Sequence, residues 1–192
     1  MIAVFDDFIQ DPVLLKEIEM NYNHIFRDPG NYKYWGGWWN SPANNTTKKI
    51  IQYAWGDNCP ISKSFSIDGF EYWTGIQTAA DIKDEWQDNL IIHFDKDEAW
   101  WKESGEIVTP VIGSVYYPAG QDFDGGDLAI YTEGRESTPE IIKAKPNRFI
   151  IFGAGEHLHT VQQVTRGIRN AIAINLWEGE PYSKQKGILI IE

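Results

Sequence analysis

From about residue 64 onward the chain is a series of short β-forming runs broken by turn residues, the pattern of an all-β sandwich or barrel. Strands are predicted at 65–69, 88–95, 107–117, 127–132, 139–143, 148–152, 168–177 and 187–191. Asp124-Gly125-Gly126-Asp127 is a turn in which glycine tolerates positive φ. Pro146-Asn147 introduces Arg148-Phe149-Ile150-Ile151-Phe152, a run apolar on both faces and therefore central. Upstream, Ile2–Ile9 predicts a short strand. Asp11-Pro12 then sets an N-cap before a proline at the first helical position, and Leu14, Leu15, Ile18 and Tyr22 follow at helical spacing, predicting a helix over about 11–24. Residues 28–62 mix Pro, Gly and Asn with Tyr32, Tyr34, Trp35, Trp38, Trp39 and Trp55, which predicts irregular structure carrying large rings.

These elements add up to a mainly β fold with a flanking N-terminal helix, a double-stranded β-helix or jelly roll of two sheets. A length of 192 residues supports one domain with a substantial core, so 1–192 is expected to be a single unit, with the helix and aromatic segment at about 1–62 and the jelly roll at about 64–192. Seventeen Lys and Arg against 28 Asp and Glu give a net charge of −11, which disfavours a partner gripped through phosphates and leaves only local strips such as Lys48-Lys49 for nucleic acid. Cys59 is the only cysteine, so no intrachain disulfide forms, as befits a reducing compartment. The N-terminus carries Asp6 and Asp7 where a signal peptide is basic, and no apolar run approaches membrane-spanning length. A soluble cytoplasmic protein is the expectation.

His93 and Asp95 stand two apart at the end of the apolar run Leu90-Ile91-Ile92. In a strand, residues i and i+2 share a face, so this pair offers an imidazole and a carboxylate to one metal ion, and a second imidazole, from His159 or His157, completes three protein ligands. Two histidines and one carboxylate with open positions are the ligand set of non-haem Fe(II) oxygenases; the same set can also hold Zn(II) for hydrolysis. Period-two alternation after residue 168 places Arg169, Ala171, Ala173, Asn175 and Trp177 on one face, where small residues beside the arginine leave room for a dicarboxylate.

The segments His93-Phe94-Asp95, Phe123-Asp124-Gly125-Gly126-Asp127-Leu128 and His159-x-Val161-x-x-Val164-x-x-Gly167-x-Arg169, closing with Trp177, resemble the 2-oxoglutarate- and Fe(II)-dependent dioxygenases of the prolyl-4-hydroxylase-like branch. The likeness covers residues 88–178; the position before Val164, often proline in that family, is Gln163. The resemblance implies Fe(II) held by His93, Asp95 and His159, with His159 preferred over His157 because it stands ten residues before Arg169 rather than twelve. It also implies that Arg169, rather than Arg166, anchors the distal carboxylate of 2-oxoglutarate. Tyr117 would be its hydroxyl partner in preference to Tyr116, Leu128 an apolar wall, and Trp177 a further cosubstrate-side residue. Asp95 argues against the related halogenases, which lack that carboxylate.

Fe(II), 2-oxoglutarate and O2, with ascorbate as an accessory, are therefore the expected cofactors, and hydroxylation the expected reaction. A prolyl or other residue in a peptide or protein is the leading substrate class, with a free amino acid or small metabolite as the alternative. Outside that class stand a Zn hydrolase and a metal-binding jelly-roll module without oxygenase activity; Arg169 speaks against the hydrolase, which needs no carboxylate anchor. Residues 34–39 and the pair Trp100-Trp101 are either a mobile wall over the substrate cleft, with Gly36 and Gly37 as hinges, or rings that plug the end of the jelly roll. Asp97 and Glu98 fit a solvated loop, with Asp97 able to orient a ligand imidazole.

Overall fold

The computed structural model describes residues 1–57, 61–79 and 91–188. Strand β1 (Ile2–Phe5) leads into helix α1 (Pro12–Ile25), where the Asp11 carboxylate accepts from the Val13 and Leu14 N–H groups and Pro12 occupies the first turn. Its apolar stripe, Leu14, Ile18 and Ile25, is buried. Next come β2 (Lys33–Trp35), α2 (Thr46–Trp55) and β3 (Gly69–Thr78). A short helix α3 (Glu98–Ser104) precedes β4 (Ile112–Tyr117), β5 (Phe123–Gly125), β6 (Leu128–Tyr131), β7 (Glu140–Ile142), β8 (Arg148–Phe152), β9 (Leu158–Val161) and the long β10 (Val164–Trp177), followed by α4 (Tyr182–Gln185).

Among the described residues the strands form two antiparallel sheets. The larger runs β1-β8-β4-β10-β3-β2 with β5 paired to β10, and the smaller runs β7-β6-β9. Alternation along β10 sorts its residues: Ile172, Ile174 and Leu176 pack with Ile18, Ile50, Ile51 and Trp55 under the two long helices. Ala171, on the other face, joins Tyr117, Leu128, Ile130, Ile150 and Phe152 in a second cluster between the sheets. The helices thus back the large sheet on one side, and the small sheet covers the other. No helix among the described residues is long and apolar enough to cross a membrane.

Several expected boundaries shift. The strand predicted at 65–69 begins at Gly69 and continues to Thr78, because its inward residues Glu71, Trp73, Gly75 and Gln77 hide the alternation from a hydrophobicity reading. Within 28–62, predicted as irregular, β2 and α2 form; α2 starts where Asn45 accepts from the Lys48 N–H and is fixed by burial of Ile50, Ile51, Ala54 and Trp55 rather than by propensity. The strand predicted at 107–117 starts only at Ile112, and β5, β9 and α3 were not anticipated. Of the strand predicted at 187–191, Gly187 and Ile188 follow α4 without forming one, and the rest lies outside the described residues, as does Cys59.

Candidate metal centre

His93 and His159 are joined by a reciprocal backbone bridge, His93 N–H to the His159 carbonyl at 3.0 Å and His159 N–H to the His93 carbonyl at 2.7 Å. Directly opposed residues of an antiparallel pair project to the same side, so the two imidazoles meet with ring centroids 4.4 Å apart. Asp95 is docked separately, its N–H donating to the Ala154 carbonyl at 2.8 Å. The strand predicted at 88–95 is therefore corrected: 91–95 is irregular chain with a bend at Ile92 and a single bridge at His93, and 88–90 lie outside the described residues. His93 Nε2 and Asp95 Oδ1 nonetheless face the same point, 3.5 Å apart.

The second nitrogen of each ring settles its orientation. Nδ1 of His93 lies 2.7 Å from the Ile91 carbonyl and Nδ1 of His159 lies 3.0 Å from the His157 carbonyl. A carbonyl only accepts, so each Nδ1 carries the proton and each Nε2 turns a lone pair inward. Both Nε2 atoms stand 3.5 Å from Asp95 Oδ1, and all three donor atoms fall within 4.8 Å of one another. Donors sharing one ion at bonds of about 2.1 Å sit roughly 3–4 Å apart, so the set fits a single divalent cation bound on one face. Burial by itself would raise the Asp95 carboxyl, but the imidazoles of His159 and His93, which donate to it from Nε2 when they carry a second proton in the absence of a cation, outweigh burial and hold it well below the usual carboxylate range. Burial likewise disfavours the charged ring of His93, and Asp95 with the Ile91 carbonyl reverses that balance upward. Three acceptors converging on one point require positive charge between them, a shared proton or a cation.

The centre opens into a cavity of about 430 Å³ between the sheets, whose lining includes Arg169, Gln77 and Leu128. Arg169 is 2% exposed. Its Nη1 donates to Gln77 Oε1 at 2.5 Å and its Nη2 to the Tyr117 hydroxyl at 3.1 Å, while Nε is buried without a partner. Among the described residues no carboxylate pairs with it. The guanidinium is admitted by Gly126, at φ +70°, where a Cβ would come within 2.4 Å of Arg169 Cδ. Tyr116 points to the opposite face and packs under the helices. Arg166 is held outside by Asp122 and Asp124, at 2.6 Å each.

Other expected residues fall elsewhere. Trp177 is not part of the cavity lining; it pairs with Gly69 at the far end of the β3–β10 ladder, eight residues or roughly 26 Å of strand beyond Arg169, so its expected place beside the cosubstrate is corrected. Asp97 is no loop residue: it is buried, caps α3 by accepting from the Trp100 N–H at 3.0 Å, and accepts from the Ser183 N–H of α4 at 2.8 Å. Tyr34 and Trp35 are core, at 2% and 3% exposure, and none of 34–39 lines the cavity, which corrects the mobile-wall expectation for that segment. Trp100 sits edge-on against Tyr182, and Trp101 lies under Lys96, both away from the cavity. The wall is instead built from Pro29, Gly30, Tyr32 and Trp73, with the last two rings 4.7 Å apart. Trp73 and Gln77 were missed with β3 itself; the alternation of Phe70, Tyr72 and Thr74 against them was the available signal.

No family model and no curated protein matches the sequence. Solved structures do. A Pseudomonas putida prolyl-4-hydroxylase superposes with a TM-score of 0.54 at 11% identity, covering 93% of this chain and 88% of that one. A Trichoplax adhaerens prolyl hydroxylase, solved in complex with a peptide fragment of the hypoxia inducible factor oxygen degradation domain, gives 0.54 at 13% identity over 92% and 83%. IDO from Bacillus thuringiensis gives 0.55 at 13% identity over 93% and 94%. At such identities the likeness concerns the fold alone: this chain has the jelly-roll fold of these prolyl hydroxylases.

Proposed function

We propose that this protein is a non-haem Fe(II)- and 2-oxoglutarate-dependent oxygenase that hydroxylates a residue, prolyl or otherwise, within a peptide or protein. The observation that carries the reading is the pairing, in one cavity, of a His93–Asp95–His159 donor set with a buried arginine whose hydrogen-bond partners among the described residues are both neutral. An uncompensated buried guanidinium favours an anion, and its planar fork matches a carboxylate. His93, Asp95 and His159 would hold the iron through Nε2, Oδ1 and Nε2. Iron(II) bound there would supply O2 activation coupled to decarboxylation of 2-oxoglutarate to succinate and CO2. Arg169 and the Tyr117 hydroxyl would receive the distal carboxylate and orient the dicarboxylate in the cavity. Leu128, Phe152, Val161 and Ala171 keep that region apolar, which strengthens the ionic contact and excludes water.

The substrate side points to a residue in a chain rather than a free amino acid. Among the described lining residues the charge-bearing side chains are Asp95, Arg169 and the two histidines, all committed to metal and cosubstrate; the rest of the wall is Tyr32, Trp73, Pro29, Gly30 and other neutral groups. A free amino acid brings an ammonium and a carboxylate, each costly to desolvate without a counter-charge. A peptide residue brings neutral amides, and aromatic walls suit its apolar side chain. The test is succinate formation by Fe(II)-loaded protein with peptide and amino-acid pools, following products by mass for the gain of one oxygen atom. Oxygen gain on peptides with stoichiometric succinate supports the proposal; gain on free amino acids alone transfers it to the small-molecule class. Metal-dependent hydrolysis without succinate overturns it.

A further inference from the structure

Gln77 is the strongest feature of the cavity that the expected chemistry leaves unassigned. It lies on β3 directly opposite Arg169 in the β3–β10 register, and it lines the same cavity. Its Oε1 accepts from Arg169 Nη1, so the amide orientation is fixed by that bond and Nε2 turns away from the guanidinium. Nε2 lies over Gly75, where a Cβ would approach it to 3.1 Å, and Gly75 also lines the cavity. Across the ladder from Gly75 is Ala171, so the pair beneath the amide carries no side chain larger than a methyl. Two further features fit. Among the described residues both partners of the arginine, Gln77 and Tyr117, are neutral and leave its guanidinium charge for a ligand, whereas an Asp or Glu in place of Gln77 would cancel it. The amide also holds two donors that a second carboxylate oxygen can accept from.

We infer that Gln77 is a cosubstrate-specificity residue, fixing the Arg169 guanidinium through Oε1 and donating from Nε2 to the distal carboxylate of a 2-oxo dicarboxylate. The inference rests on the 2-oxoglutarate reading of the site and assigns the residue that makes it selective for a dianion. The cavity end then reads as three donors in a row, Tyr117, Arg169 and Gln77, with the positive charge in the middle.

The experiment is calorimetric titration of Mn(II)-loaded wild type, Gln77→Glu, Gln77→Leu and Arg169→Ala with 2-oxoglutarate, and with 2-oxobutyrate as a monoanion lacking the distal carboxylate. Gln77→Glu is expected to raise the 2-oxoglutarate dissociation constant by about thirtyfold or more, since an anion now occupies the arginine, and Gln77→Leu by about tenfold. Mn(II) affinity and the weak 2-oxobutyrate affinity should stay at wild-type values in both, a pattern that misfolding would not give. If Arg169→Ala loses 2-oxoglutarate while both Gln77 variants bind it as wild type does, the assignment of Gln77 is wrong and the site reading stands. If wild type itself fails to bind 2-oxoglutarate, the site reading falls and takes the assignment with it.

Discussion

Glu71 is a buried acid, 4% exposed, that neither metal nor cosubstrate explains. Burial pushes its carboxyl up to about 8, with the negative charges of Asp95 and Asp97 adding to the rise and Trp177 and Asn175 working weakly against it. An unfolded glutamate titrates near 4.5. Between about 4.5 and about 8 the folded protein therefore holds a proton that the unfolded chain has released, and stability falls as pH rises through that window. Metal-free Glu71→Gln should show a flatter profile and a melting temperature above wild type by an amount that grows from pH 5 to pH 8, about 2–4 °C for each kcal/mol relieved. Parallel profiles for the two proteins would mean Glu71 is ionised in the fold. At this scale spacing singled out His93, Asp95 and His159, whose donor atoms the fold brings together, and Arg169, which lines the same cavity. Glu71 and Gln77 were hidden because a polar residue that faces inward from a strand looks, in sequence, like one that faces water.

The turn between β5 and β6 shows how an element places a functional group. Gly125 and Gly126 both adopt positive φ, and the second lets the backbone pass against Arg169. Gly126→Ala adds left-handed strain of about 1–2 kcal/mol and drives a methyl into the Arg169 side chain. It should weaken 2-oxoglutarate binding by about tenfold with metal affinity unchanged. Gly134 is a fitting control, also at positive φ but with nothing within 4 Å of an added Cβ; Gly134→Ala should cost stability alone. Equal 2-oxoglutarate affinity in wild type and Gly126→Ala would remove the turn from the site. Helix α1 was legible because Asp11-Pro12 and the Leu14–Ile18 spacing are local signals. Helix α2 was not, because its Thr, Lys and Ile residues are held helical by burial against the sheet, a tertiary cause. The segment 34–39 misled for the related reason that aromatic rings with glycines describe a lid and a core plug equally well until burial is known.

At the scale of the molecule, the jelly roll does two jobs with one long strand. The outer face of β10 seals the core under α1 and α2, while its inner face lines the cavity with Arg169, Ala171 and Ala173. The small sheet brings His159 on β9 and Leu128 on β6 against that face, and the chain before α3 brings His93 and Asp95 to the same opening. The architecture was legible because strand runs and turn residues repeat at intervals no helical fold produces; the pairing order was not, since it depends on contacts far apart in the chain. The central claim is that His93, Asp95 and His159 form one iron centre to which 2-oxoglutarate coordinates. Anaerobic addition of Fe(II) and then 2-oxoglutarate should raise a weak visible charge-transfer band in wild type and in His157→Ala, and none in His159→Ala. A band that survives in His159→Ala and vanishes in His157→Ala would contradict the account.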